Sequence, residues 1–239
     1  MPHHSNQLFC GFLEVKMDCV IDLQGFKDSS NNFVIKEAAV VFLNTNCVGN
    51  WIATPPYPFT ELSTKAREYN NLETKYIHGL EWFQGDVGYR QILTNIREIA
   101  RHASNIFVYG QERVKVVESI TTRCAYDLSE MGCPSQKGNP QSCIHHGINL
   151  RNPLYACALA RVNFYKEWLI ENYEKISALS YSPSTCQTQN IEGEEEELIK
   201  NHEYTPNSKG NSWVAGCIAG CLSSGPYPDE VDKTCCNSG

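Results

Sequence analysis

The stretch Cys143-Ile-His-His146-Gly-Ile-Asn-Leu-Arg-Asn-Pro-Leu-Tyr-Ala-Cys157-Ala-Leu constrains the fold more than any other part of this sequence. Two thiols and two imidazoles fall within fifteen residues and run directly into a segment of helical periodicity. Thiolate and imidazole form the ligand set that zinc prefers, and a Cys-x2-His spacing lets two side chains from one turn reach one ion. Cys143, His146 and Cys157 are therefore candidate metal ligands, with His145 a rival to His146. A fourth ligand has to come from elsewhere in the chain. The plainer reading is that both cysteines are ordinary buried thiols and that the histidines line a loop.

A chain of 239 residues with 41% hydrophobic content can build one large core, or one domain with an appendage. No apolar run approaches the roughly 18 to 20 residues of a membrane span. The opening Met-Pro-His-His-Ser-Asn-Gln has neither a basic n-region nor an apolar h-region. These features predict no membrane association and a cytoplasmic or nuclear location. In that setting the 12 cysteines read as free thiols plus a metal site rather than as a disulfide framework.

The net charge of −7 opposes nucleic-acid binding only until it is divided by region. Residues 1–178 hold 17 Lys and Arg against 18 Asp and Glu, whereas residues 179–239 hold 3 against 9. The second segment contains Gly193-Glu-Glu-Glu-Glu197, many Ser, Asn, Pro and Gly, and no sustained apolar period. Such a composition buries too little surface to offset ordering, which predicts a folded domain at 1–178 and a disordered, acidic, cysteine-bearing tail at 179–239.

Within the domain, residues 17–26 read as a strand ending near Gly25, and Lys27-Asp-Ser-Ser-Asn-Asn32 as a turn. Phe33–Leu43 reads as its antiparallel partner, and Cys47–Thr54 as a third strand stopped by Pro55-Pro56. A short helix fits within 58–75, and residues 78–85 form a loop with aromatic anchors. Apolar residues Ile92, Leu93, Ile96, Ile99 and Ala100 recur at helical spacing, which predicts an amphipathic helix over 88–102. Residues 105–110 fit a buried central strand, Val114–Ile120 a further helix, and 124–142 an irregular loop. A last helix spans Leu154–Ile176, with Leu159, Val162, Trp168 and Leu169 facing inward. The order is α/β, a mixed sheet with flanking helices.

That order resembles the ribonuclease H-like fold of the DEDD 3′–5′ exonucleases, which hold two cations with a first-strand Asp-x-Glu pair and two later carboxylates. Asp22 matches the first position, but Gln24 stands at the second, and no aspartate occurs between residues 143 and 157. DEDD-type metal-dependent hydrolysis is therefore expected to be absent. The chain is more similar to the Maelstrom domain, in which a Glu-Cys-His-Cys zinc site replaces those carboxylates. On that resemblance Glu37, in Lys36-Glu-Ala-Ala-Val-Val-Phe, joins Cys143, His146 and Cys157 of the Cys157-Ala-Leu-Ala helix start. Cys133 is the rival to Glu37. The Asp-Leu-Gln-Gly-Phe stretch also looks like a set of uncharacterised arthropod proteins of the same arrangement.

The resemblance implies a structural zinc and a single-stranded RNA-binding or scaffold role in small-RNA silencing, with RNA or silencing proteins as partners and weak ribonuclease activity at a separate place. Arg90, Arg97 and Arg101 share one side of the 88–102 helix and, with Arg113 and Lys115, form a candidate nucleic-acid face, for which a solvated surface is the plainer reading. Trp82, Phe83 and Tyr89 are candidates for base stacking or for the core. The alternative function is an active single-stranded ribonuclease, for which His78, Glu81 and Asp86 are the clustered residues.

Overall fold

In the computed structural model the described residues are 17–45, 47–136, 146 and 155–178. The predicted 179–239 tail lies outside them, as do Cys143 and His145. Eleven residues, Met17–Lys27, form β1, and Phe33–Phe42 form β2. They pair antiparallel from Cys19 against Phe42 to Lys27 against Phe33. The turn between them is tied by Asp28, whose carboxylate accepts from Ser30 N, Asn32 N and the Asn32 amide. A third antiparallel strand, β3, covers Val48–Ile52. Chain then passes through α1 (Thr64–Glu73), capped by Ser63, whose hydroxyl accepts from Ala66 N. It continues into a π-helical turn over Thr74–His78 that ends at left-handed Gly79.

The helix α2 (Tyr89–His102) abuts β4 (Ala103–Val108) with no connecting loop, two residues earlier than the sequence predicts for the strand. β4 pairs parallel with β1, placing Val108 beside Ile21. Helix α3 (Gln111–Thr121) leads to β5, the two residues Tyr126–Asp127, inside a segment expected to be irregular. The last helix, α4, spans Ala158–Ala178 and so begins four residues after the expected Leu154. The five strands lie in the order β3-β2-β1-β4-β5, an α/β mixed sheet flanked by helices.

Strand periodicity sorts the core into two layers. Cys19, Ile21, Leu23, Ala38, Val40, Ile106 and Val108 face α2 and α3, meeting Ile92, Ile96, Ile99, Val114 and Val117. Val20, Ala39, Val41 and Phe107 face the other way, toward Ala158, Val162, Tyr165 and Leu169 of α4. Of the four residues expected to point inward from that helix, Val162 and Leu169 are buried, whereas Leu159 and Trp168 are only partly so. A smaller cluster of Phe26, Val34, Leu62, Ala66 and Trp82 closes one end.

One irregularity sets the site. Gln24 pairs with Glu37 but Gly25 pairs with Ile35, so Lys36 is an extra residue on β2. Such a bulge re-aims neighbouring side chains. It leaves Glu37 on the α4 side with Ala39 and Val41, and sends Lys36 into the loop that follows the π turn. There its ammonium donates to Ala53 O at 2.9 Å, to Trp82 O at 2.7 Å and to Gln84 O.

Candidate metal centre and the arginine-flanked carboxylate beside it

Three of the four expected ligands converge. Glu37, His146 and Cys157 are buried, and their ligand atoms all lie within 4.8 Å of one another. Cys157 Sγ stands 3.7 Å from Glu37 Oε1, and His146 Nε2 stands 4.0 Å from Glu37 Oε2. A carboxylate, an imidazole and a thiol at this spacing could hold a metal ion. Cys143 falls outside the described residues. Cys133 is buried on the α4 side of the sheet and directs its thiol to Pro134 O, and it is not part of the converging group.

Local structure explains why these atoms meet. Ala158 N donates to Glu37 Oε2 at 2.9 Å, and Ala160 N approaches Cys157 Sγ at 3.5 Å. The first turn of a helix has unpaired N–H groups and a positive dipole end, which favour a carboxylate and a thiolate. Segment 155–157 is in turn fastened to the π turn: Ala156 N donates to Ile77 O at 2.6 Å, and the Tyr155 hydroxyl to Lys75 O at 3.1 Å.

That π turn delivers His78, fully buried, toward the same region. His78 Nδ1 accepts from Leu80 N at 3.1 Å, so its ring proton belongs on Nε2, and Phe26 meets the ring edge-on at 4.9 Å. Burial pushes the imidazole down to about 3, helped by the charges of His146 and Lys36. Its proposed nuclease companions, Glu81 and Asp86, are exposed. A sealed, neutral imidazole is poorly suited to proton exchange with a solvent-borne substrate.

Lys36 is the residue that sequence alone does not single out. Burial pushes its ammonium down to about 7 against the pull of Asp86 and Glu81, while its three carbonyl partners hold the 80–86 loop to the sheet.

Asp22, expected as the first-strand carboxylate, stands between two arginines. Asp22 is buried on β1, with Arg113 Nε at 3.5 Å and an Arg161 terminal nitrogen at 3.6 Å. Gln24 donates to it at 3.4 Å. Burial raises the Asp22 carboxyl pKa, and the two guanidinium groups oppose that rise. Arg113 reaches it because β4 stops at Val108, leaving Leu23 O without a ladder donor on that edge; Arg113 Nε supplies one at 2.7 Å. No local motif marks Arg161, which follows Cys157 by one helical turn.

The five basic candidates separate. Arg113 is aimed at Asp22, Arg97 donates to Ile120 O at 3.0 Å, and Arg101 pairs with Glu98 at 3.0 Å. Arg90 and Lys115 are exposed. Among the aromatics, Trp82 is buried with its indole N–H on Tyr57 O, and the Tyr89 hydroxyl accepts from Ile35 N. Phe83 remains 77% exposed. Of the described cysteines, Cys19, Cys47, Cys133 and Cys157 are in no disulfide, whereas Cys124 is disulfide-bonded, a correction to the reading of the cysteines as thiols and metal ligands alone. No helix among the described residues is long and apolar enough to cross a membrane.

A scan against protein-family models finds no match for this chain, and a search of the curated proteins finds none either.

Proposed function

We propose that the chain is a catalytically degenerate, ribonuclease H-like domain similar to the Maelstrom domain. It binds single-stranded RNA or silencing proteins as a scaffold, and its zinc is structural. The observation that carries this reading is the environment of Asp22. A two-cation nuclease needs several carboxylates converging on its ions. Here the first-strand aspartate is flanked by Arg113 and Arg161, and its neighbour on the strand is the amide of Gln24. Guanidinium groups beside the carboxylate repel the cations that hydrolysis requires.

The strand order β3-β2-β1-β4-β5, an antiparallel meander extended by parallel strands, supports the ribonuclease H-like assignment. Glu37, His146 and Cys157 would hold zinc, with Cys143 as the fourth ligand. Bound zinc would supply cohesion: about 10 to 16 kcal/mol for structural sites, comparable with the whole stability of a domain. A closed set of four protein ligands leaves no coordination position for water. The chain's own part is to bring strand, cysteine loop and helix to one point.

The test combines metal analysis with an activity assay. One zinc per chain is expected, lost in Cys143→Ser together with much of the thermal stability. Single-stranded RNA is expected to be bound and left intact in Mg2+ or Mn2+. A folded, zinc-free wild-type protein, or processive 3′–5′ degradation abolished by Asp22→Ala, overturns the reading.

A further inference from the structure

We propose that the Asp22–Arg113–Arg161 cluster is an anion site that seats a backbone phosphate of single-stranded RNA. The inference rests on the RNA-binding reading above and gives that binding a location.

Charge is the first argument. Two guanidinium groups face one carboxylate, so the cluster carries an excess of positive charge. The contacts of 3.5 and 3.6 Å are longer than the 2.7 to 2.9 Å typical of a tight charge-assisted hydrogen bond. Most of the guanidinium donors are therefore not satisfied by Asp22. Arg113 uses Nε on Leu23 O, and the buried Arg161 Nε has no hydrogen-bond partner among the described residues. An arginine presents five N–H donors in a fork that matches phosphate geometry.

Access is the second argument. The Asp22 side chain is 1% exposed, whereas those of Arg113 and Arg161 are 25% and 15% exposed. The carboxylate is the buried member of the cluster, and the two guanidinium-bearing side chains are the partly exposed ones. Asp22 holds the two guanidinium groups together without cancelling them.

Placement is the third. Arg113 reaches Asp22 past the carboxyl end of β4, and ligands of open α/β sheets bind outside the carboxyl ends of parallel strands. Behind the cluster Tyr165, buried in the layer under α4, stacks on the half-buried Tyr109 with centroids 5.0 Å apart. Asp127, at the end of β5, accepts from Gly110 N and from Ser129 N and its hydroxyl through Oδ1 at 2.7 to 2.9 Å, while its buried Oδ2 has no hydrogen-bond partner among the described residues.

The experiment uses the full-length, zinc-loaded chain, a fluorescent oligouridylate and inorganic pyrophosphate. Pyrophosphate is expected to compete with the RNA and to raise the melting temperature of the wild-type protein. Arg161→Gln is expected to weaken RNA binding by about tenfold and to reduce the slope of log affinity against log salt by about 0.7, the value for one phosphate contact on a single strand. Unchanged affinity and slope in both Arg161→Gln and Arg113→Gln overturn the site while leaving RNA binding intact. If RNA is not bound but pyrophosphate stabilises the wild type and not Arg161→Gln, the RNA reading falls and the phosphate site stands. Absence of both effects removes both. Should Arg161→Gln fail to fold, the more exposed Arg113 carries the variant comparison, and pyrophosphate competition with the wild type needs no variant.

Discussion

Glu37 Oε2 accepts the backbone N–H of Ala158 at 2.9 Å, joining a central strand to the first turn of a helix 121 residues away. Its other oxygen faces Cys157 Sγ at 3.7 Å. The carboxylate thus caps a helix and belongs to the candidate metal centre, and two substitutions separate these roles. Glu37→Gln keeps an acceptor of the same size but loses the charge, so zinc content should fall while the apo fold keeps its helix cap. Glu37→Ala also strands a buried N–H, which should cost a further 1 to 3 kcal/mol or so. Elemental analysis and calorimetry read the two effects, and an unchanged zinc content in Glu37→Gln would remove Glu37 from the ligand set.

His78 sets the expected acid sensitivity. Its imidazole is held down to about 3 from an ordinary 6.5, chiefly by burial. The unfolded chain therefore binds a proton that the folded chain refuses. Stability is full above about pH 6.5 and declines as pH falls toward 3, by up to about 5 kcal/mol if the protein survives that far. Denaturant unfolding followed from about pH 8 to about pH 4, with zinc content measured at each point, should show the decline. His78→Gln should flatten it, and an undiminished slope in that variant would assign the sensitivity to other groups.

Local pattern made much of the fold legible. The β1–β2 hairpin follows from two apolar runs around Lys27–Asn32, and α2 from its apolar stripe, because both depend on short-range periodicity. Cys157 at the helix start comes only from the family resemblance, since the apolar spacing alone places that start at Leu154, four residues before the observed Ala158. What stayed hidden depends on register or distance. β5 is two residues long and forms only because β4 presents an edge to it. Arg113 read as part of a basic helix face, yet it turns to Asp22 because β4 ends where it does. Arg161 lies 139 positions from Asp22, and no sequence pattern links them.

Lys36 illustrates the same limit and gives a further prediction. Its neighbours in sequence make it look like an ordinary strand residue, but the bulge opposite Gln24 and Gly25 turns it inward. Its ammonium is shared by Ala53 O, just past the end of β3, and by Trp82 O and Gln84 O of the 80–86 loop. Lys36→Met fills similar volume and removes every donor, which should destabilise the fold by about 2 to 4 kcal/mol. Hydrogen exchange should locate the loss in residues 80–86. A variant as stable as the wild type, with that loop equally protected, would show that the ammonium contributes no net stability.

Gly79 lies outside the converging ligand set yet bears on its alignment. Gly79 ends the π turn with φ of 71°, and its N–H donates to Thr74 O at 3.0 Å. A Cβ placed there would lie 2.6 Å from the Tyr155 ring. Tyr155 is bonded to Lys75 O, and the next residue to Ile77 O, immediately before Cys157. Gly79→Ala therefore carries two costs: about 1 kcal/mol for the left-handed backbone, and displacement of the ring that aligns the thiol. Zinc should dissociate faster from this variant although every ligand is retained. Adding Tyr155→Ala removes the collision and leaves only the backbone cost, so the double variant should be less destabilised than the sum of the two single changes. Strict additivity, with zinc release at the wild-type rate, would mean that the π turn does not position Cys157.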